Sequence, residues 1–391
     1  MEAIAAFLLI MICLFIGEWV SKLTKAYLPS MFISAVLFMI GYWTFFPKNL
    51  STLATFSDSA AQLFLALNLV HLGTMMSLKQ LLQQWKAVCI ALLGVAGTVA
   101  LTLSVGSMLL GWKTVVAGIP PLTGGIVAAL LMTNGLKQQG IMSLAALPIA
   151  MVVMHSLVGY PLTSMMLKKE GKRLIGVFKK QGGKVRTVQT ADESAAPKKK
   201  KQWLPKDYET ASFILAKVAL VALAAEGFSA LLHNAINSSI MCLIFGVIFH
   251  QLGFLEDHAL EKAGIYNWIM YGIITYCFAQ LSLVSPAQLG PLVVRILTLI
   301  VLGLIGMFIA SFLLAKPFKM TWYMAYACSL TALFGFPMDY LLTNEVAHTV
   351  AETPEQEKFL QDTMVPQMLV GGFATVSIAS VAIASIFLKI L

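Results

Sequence analysis

The sequence predicts an all-α integral membrane protein, built as two inverted repeats of five transmembrane helices, each repeat carrying one broken or re-entrant helical hairpin. Three observations point there. The 391 residues are 59% hydrophobic and 12% charged, with a mean hydropathy of +0.83, whereas soluble domains carry about 25% charged residues. Apolar stretches of membrane-crossing length recur along the chain, and the spacing of polar landmarks in the first half returns in the second.

A helix needs about 20 apolar residues to cross roughly 30 Å of hydrocarbon. Segments 3-21, 30-46, 59-78, 87-111, 114-134, 141-166, 210-231, 238-254, 264-284, 290-315, 320-343 and 363-391 approach or meet that length. The first lacks a basic leader and a small-residue cleavage site, so it reads as a retained helix rather than a secretory signal. Cys13, Cys89, Cys242, Cys277 and Cys328 all fall inside apolar stretches without CxxC spacing. They are buried thiols, and neither a disulfide framework nor a zinc site is expected.

The one long polar interruption, 167-209, holds 13 Lys and Arg against five Asp and Glu, including the run Lys198 to Lys201. Such a stretch could grip nucleic acid or acidic lipid, but between two membrane halves its ordinary meaning is topological, because positive charge stays on the cytoplasmic side. It is expected to be a basic cytoplasmic linker between a first repeat, 1-166, and a second, 210-391. No nucleic-acid partner is expected.

At an offset of 208, Glu18 falls on Glu226, Ser21 on Ser229, Ser30 on Ser238 and Ser77 on Ser285. Offsets of 216 and 218 pair Pro121 with Pro337 and Pro148 with Pro366. Inverted duplication needs an odd number of crossings per half, yet each half shows six apolar segments, so one in each should enter and leave on the same face. The fifth and eleventh are the candidates, as hairpins 114-138 and 320-348. One is interrupted by Gly118-Ile119-Pro120-Pro121-Leu122-Thr123-Gly124-Gly125 and the other by Phe334-Gly335-Phe336-Pro337. Proline removes a backbone donor and glycine relieves the sterics of a bend, so both should unwind within the membrane. Lys22, Lys25, Lys79, Lys86, the linker, Lys262, Lys316 and Lys319 then face the cytoplasm. Both termini lie outside; twelve full crossings, with kinked helices in place of the hairpins, are the alternative.

Half-helix N-termini can meet a carboxylate, while unwound carbonyls and side-chain oxygens can replace the hydration shell of a cation. Thr123, Asn134, Ser329, Thr331 and Asn344 supply such oxygens near the breaks, and Gly124, Gly125, Gly335 and Phe336 shape the tips. These form the expected substrate site. The plain alternative for each hydroxyl or amide is a bond back to its own helix or a cap. Asp339 stands two residues beyond Pro337 in an apolar hairpin. A carboxylate there costs at least about 2.5 kcal/mol, so it should meet a cation, a partner or water. Asp339, with carbonyls around Pro121, Leu122 and Pro337, is the expected cation site. Glu18 and Glu226 read as capping or pairing groups. Asn68 and His71 share one face of the third segment, Lys217 and Arg295 can snorkel from helix ends, and His155 and Tyr160 line the sixth segment. Gly371-Gly372 permits close helix packing.

The run Ala117 to Gly125 resembles the glycine-rich first hairpin of bacterial sodium/glutamate symporters. Cys328-Ser329-Leu330-Thr331-Ala332-Leu333-Phe334-Gly335-Phe336-Pro337 is similar in place to that family's second hairpin, and Val365-Pro366 to the opening of its final helix. The resemblance implies a sodium-coupled symporter of an anionic amino acid or related carboxylate in the bacterial inner membrane. It also implies an elevator-like mobile core and a scaffold that forms a homodimer. Two departures stand out. The family follows its double glycine with a histidine, where this chain has Ile126, Val127 and Ala128, and Asp339 occupies a place of small or hydroxylated residues.

Nothing in the sequence suggests an enzyme: it offers no nucleophile elbow, zinc-ligand spacing, phosphate-cradling loop or cofactor attachment signature. No cofactor is expected beyond Na+ as the coupling ion. A proton-coupled or uncoupled carboxylate transporter or exporter is the alternative. A passive channel fits less well, since duplicated halves suit alternating access.

Overall fold

A computed structural model describes residues 2-75, 84-180, 210-232, 238-283 and 286-391. Ser77, Lys79, Ser285 and the basic run 198-201 lie outside these residues. The described chain is all-helical. In order it forms α1 (Glu2–Leu23), α2 (Ser30–Thr44), α3 (Leu50–Leu53), α4 (Asp58–Met75), α5 (Trp85–Leu101), α6 (Ser107–Leu110), α7 (Trp112–Gln138) and α8 (Leu147–Lys180). There follow α9 (Ala211–Leu231), α10 (Ser238–Gln251), α11 (Ala259–Lys262), α12 (Tyr266–Ala279), α13 (Pro286–Leu289), α14 (Val293–Ala315), α15 (Trp322–Leu330), α16 (Met338–Val350), α17 (Pro354–Phe373) and α18 (Ser380–Ile390). A π-helical segment, Thr102–Gly106, joins α5 to α6, and another, Ala374–Ala379, joins α17 to α18.

Among the described residues five helices are long and apolar enough to cross a membrane: Glu2–Leu23, Trp85–Leu110, Met142–Lys180, Ala211–Leu231 and Gly290–Ala315. Their exposed side chains are large and apolar, such as Ile4, Leu8 and Phe15 on α1 and Leu220 and Leu223 on α9. That surface suits lipid rather than water. Two other expected crossings, α2 with 15 residues and α10 with 14, are shorter apolar helices.

The order of elements recurs. Helices opening at Ser30 and Ser238, at Asp58 and Tyr266, and at Trp85 and Val293 are each 208 positions apart. Left-handed backbone recurs with it, at Thr55 and Gly264, Gly111 and Lys319, and Gly125 and Gly335. This register corrects the proline pairs. Pro121 lies four residues before its left-handed glycine and Pro337 two after, so they are not equivalent positions. Pro148 stands at the start of α8, whereas Pro366 lies deep inside α17 and does not open it.

Two helices run further than hydropathy indicates, because their charged residues have partners. α8 continues to Lys180, so the first third of the stretch read as linker is helical. There Glu170, buried, accepts from Arg173 Nη2 at 2.6 Å and from Thr321 Oγ1 at 2.6 Å. α17 begins at Pro354, where Thr353 Oγ1 accepts the Gln356 amide and Glu355 and Glu357 occupy the positive end of the helix dipole.

The chain forms two compact units, each drawing on both halves of the sequence. One comprises, of the described residues, 2-7, 49-75, 210-232 and 238-277. Its helices α4 and α10 pack backbone to backbone: a β-carbon on Gly246 would stand 2.4 Å from the Val70 carbonyl oxygen, and one on Gly73 2.6 Å from the Val247 nitrogen. His71 and Asn68 are fully buried here. His71 Nδ1 accepts the Leu260 amide at 3.2 Å, Asn68 Nδ2 lies 3.2 Å from Met270 Sδ, and Lys217 pairs with Glu256. These contacts tie helices together.

The other unit comprises, of the described residues, 8-48, 84-180, 278-283 and 286-391. Here α5 packs on α14 through Gly97 and Gly306, each of whose missing β-carbons would collide with the other's carbonyl oxygen, at 2.5 and 2.4 Å. Thr98 Oγ1 donates to the Gly303 carbonyl at 2.9 Å. The turn between α1 and α2 is held by α8 and α16: Ser164 Oγ donates to Ala26 O at 2.9 Å, Lys168 Nζ donates to Lys25 O, and Glu345 accepts from Ser21 Oγ, from Ser30 N and from Ser30 Oγ.

Candidate functional site: two broken helices and a buried aspartate

The first break is sharper and later than expected. Helical geometry holds through Pro120 and Pro121 and fails at Gly125, whose φ of 66° and ψ of −153° lie in a region open only to glycine. Pro120 and Pro121 have no N–H to give the carbonyls a turn earlier, which weakens the limb leading to the break. The second break is a relay: α15 tightens to a 3-10 turn, Thr331–Leu333, then Gly335 turns left-handed at φ 60° and Pro337 caps α16. The Phe336–Pro337 peptide is cis.

Both breaks close on the π-helical segment after α17. A β-carbon on Gly125 would sit 3.5 Å from Val376 Cγ1, and one on Gly335 2.7 Å from Val376 Cγ2. Gly124 packs on Ser380, where a β-carbon would approach to 2.2 Å. Phe336 stacks on Phe373 with ring centroids 5.6 Å apart. The glycines at the breaks thus serve close approach as much as bending.

Asp339, in the first turn of α16, is fully buried. Its Oδ1 accepts the Tyr340 amide at 2.7 Å, while Oδ2 has no hydrogen-bond partner. Gly372 forms the wall beside it, since a β-carbon there would lie 2.2 Å from Oδ2 and 3.5 Å from Gly335 Cα. The expectation for Gly371-Gly372 is thereby refined. Gly372 makes room for a carboxylate, and Gly371 lies against the Cys328 carbonyl and Thr331 Oγ1.

Near the first break, His155 is fully buried and its Nε2 lies 3.2 Å from the Pro121 carbonyl oxygen. That carbonyl is one turn before Gly125, so the imidazole N–H ties α8 to the limb that ends at the break. Tyr160, one turn along α8, packs on Phe334 at 5.3 Å.

The remaining candidates divide. Thr123 Oγ1 donates to Ile119 O at 3.1 Å and Thr331 Oγ1 to Cys328 O at 2.6 Å, so both hydroxyls bond back to their own helices at the rim of the breaks. Ser329 faces α5 and α14, bonded to Ile90 O at 3.1 Å and to Ser311 Oγ at 2.7 Å. Leu122 packs its side chain over Gly303. Asn134 is exposed and nine residues past Gly125, about 13 Å along a helix. Asn344 is half-buried in α16, a residue ahead of Glu345. Glu18 and Glu226 are exposed. Among the described residues no group of three or more His, Cys, Asp or Glu is placed to hold a metal ion. Hard cations such as sodium take carbonyl and hydroxyl oxygens, which the breaks supply.

Sequence reading missed Val376, Ser380, Phe373 and the part played by His155. No motif marks them, although the double glycine Gly124-Gly125 signalled that something would come close. No family model matches the chain, and no match is found among curated proteins.

Proposed function

We propose that the chain is a secondary active transporter of a small anionic substrate, an anionic amino acid or related carboxylate, coupled to sodium and working by elevator-like alternating access. One observation carries the reading. Two helix breaks at equivalent places of a recurring element order converge on Val376, beside a buried Asp339 whose second oxygen has no partner. Broken helices deep in an apolar protein supply amide and carbonyl dipoles where ions and carboxylates can shed water. The reciprocal approach of Gly97 and Gly306 supports an inverted, two-fold relation between the repeats. In this mechanism the unit holding both breaks carries the cargo, and the other is the scaffold through which two copies associate in the bacterial inner membrane.

The unpartnered Asp339 Oδ2 also favours a second reading, in which the coupling ion is a proton. Uptake by proteoliposomes separates these. L-glutamate, L-aspartate, succinate and glutarate are offered with an inward sodium gradient, an inward proton gradient, or neither. Concentrative uptake driven by sodium is expected. Flux that only equilibrates, whatever the gradient, would make the protein an uncoupled transporter or a channel, and no uptake of any of the four acids would overturn the substrate class.

A further inference from the structure

We infer that His155 is a ligand-binding residue, which fixes the first break through one ring nitrogen and offers the other as an acceptor to a hydrogen-bond donor on the transported acid. The inference rests on the transporter reading and narrows its substrate. A carbonyl oxygen can only accept, so the 3.2 Å contact with Pro121 O places the hydrogen on His155 Nε2. In the uncharged ring Nδ1 is then a bare lone pair. It is buried and has no partner. A buried acceptor left unmet costs about 1–3 kcal/mol.

The helix that carries this ring reaches both breaks. Through Pro121 it touches the limb that ends at Gly125. One turn further along α8, a β-carbon on Gly159 would lie 3.0 Å from Leu333 Cδ1 and 3.3 Å from Phe334 Cδ1, on the segment entering the second break. Asp339 Oδ2, just past the second break, is another unpartnered acceptor. Carboxylates cannot satisfy a lone pair, and a hard cation prefers oxygen to imidazole nitrogen. An N–H or O–H does satisfy it. The ligand class is therefore a carboxylate bearing an amino or hydroxyl group on carbon 2, in preference to the same acid without one.

The test compares dissociation constants of L-glutamate, 2-hydroxyglutarate and glutarate for purified protein in detergent at saturating sodium chloride. The wild type should bind both donor-bearing acids about tenfold or more tighter than glutarate, as one net hydrogen bond in a dry site provides. In His155→Gln the amide N–H can still reach Pro121 O while the acceptor at the Nδ1 position is lost. This variant should lose the tenfold preference. Equal wild-type affinities for the three acids would overturn the inference and leave the transporter reading standing, as would a preference undiminished in His155→Gln. Failure of all three to bind or be taken up would instead overturn the transporter reading itself. Should His155→Gln not fold, equal wild-type affinities still overturn the inference.

Discussion

Gly125 and Gly335, 210 positions apart, both take left-handed backbone and both close on one side chain, Val376. The two contacts differ in tightness. At Gly335 a β-carbon would collide with Val376, whereas at Gly125 it would meet ordinary van der Waals distance.

That difference gives a first prediction. Gly335→Ala adds overpacking of about 1–3 kcal/mol against Val376 to its backbone penalty, while Gly125→Ala carries only a backbone penalty, of about 1–3 kcal/mol, in a region open only to glycine. Thermal unfolding in detergent should show a loss of stability in both. Val376→Ala should restore part of the stability lost in Gly335→Ala and none of that lost in Gly125→Ala, the coupling being read from a double-mutant cycle. Equal coupling at both sites would mean that Val376 does not distinguish the breaks.

A second prediction concerns Glu345, whose carboxylate gathers Ser21 Oγ, the Ser30 amide and Ser30 Oγ at the start of α2. Glu345→Ala strands three donors, one of them a helix-terminal amide. The expected loss is about 1–3 kcal/mol, with faster proteolysis in the turn at residues 24-29. Ser30→Ala, which removes a single donor and leaves the amide bonded, should cost less. A larger effect at Ser30 would move the anchor of this turn away from Glu345.

Much of this fold was legible in the sequence because hydropathy and spacing are properties of single stretches. The five long apolar helices follow from counting apolar runs, and the two helix breaks fall in the glycine-rich interruptions. What could not be read depends on partners distant in the chain. Glu170 in α8 looks like linker until Thr321 and Arg173 are beside it, and Pro121 and Pro337 look equivalent until backbone geometry shows that the glycines set the register. Ser329 reads as a site hydroxyl from its place before the break, yet it is turned into helix packing by Gly94, whose missing β-carbon would overlap it at 2.3 Å. Val376 is invisible because a valine in an apolar run carries no signal.

A third prediction follows from Lys179 and Glu352, which meet at 2.7 Å with both side chains more than half exposed. The hydrogen bond from Lys179 holds the Glu352 carboxyl below its usual range. A carboxyl whose folded value is depressed contributes stability above its unfolded value and loses it as pH falls through the folded one. Solvent and salt screen such a pair, so Lys179→Ala should barely move the melting temperature at neutral pH and physiological salt. A salt-independent drop of many degrees would show the pair to be structural.

The fourth prediction is topological and rests on the charge asymmetry of the connections and on the odd number of crossings expected for each repeat. Single cysteines at positions 180 to 200 should react with impermeant reagents only from the cytoplasmic side, and cysteines near both termini only from the outside. Termini labelled from opposite faces would remove the inverted relation between the repeats.

The last prediction places the coupling ion. Asp339→Asn preserves shape, and its retained oxygen can still accept the Tyr340 amide that Oδ1 accepts at 2.7 Å, so the variant should fold. It removes the charge that would hold a dehydrated cation or the site that would carry a proton. Transport should be abolished or uncoupled, whereas Glu226→Gln, at an exposed position, should be tolerated. If Asp339 binds sodium, residual uptake in the variant should need at least about tenfold more sodium for half-maximal rate, the loss of one contact worth about 1.4 kcal/mol, and its response to pH should stay flat. If Asp339 carries protons, wild-type uptake should depend on pH and proceed without sodium, and the variant should lose that dependence. Wild-type kinetics and sodium dependence in Asp339→Asn would leave the carbonyls and hydroxyls of the two breaks as the ion's only ligands, and the buried carboxylate as a structural cap on the first turn of α16.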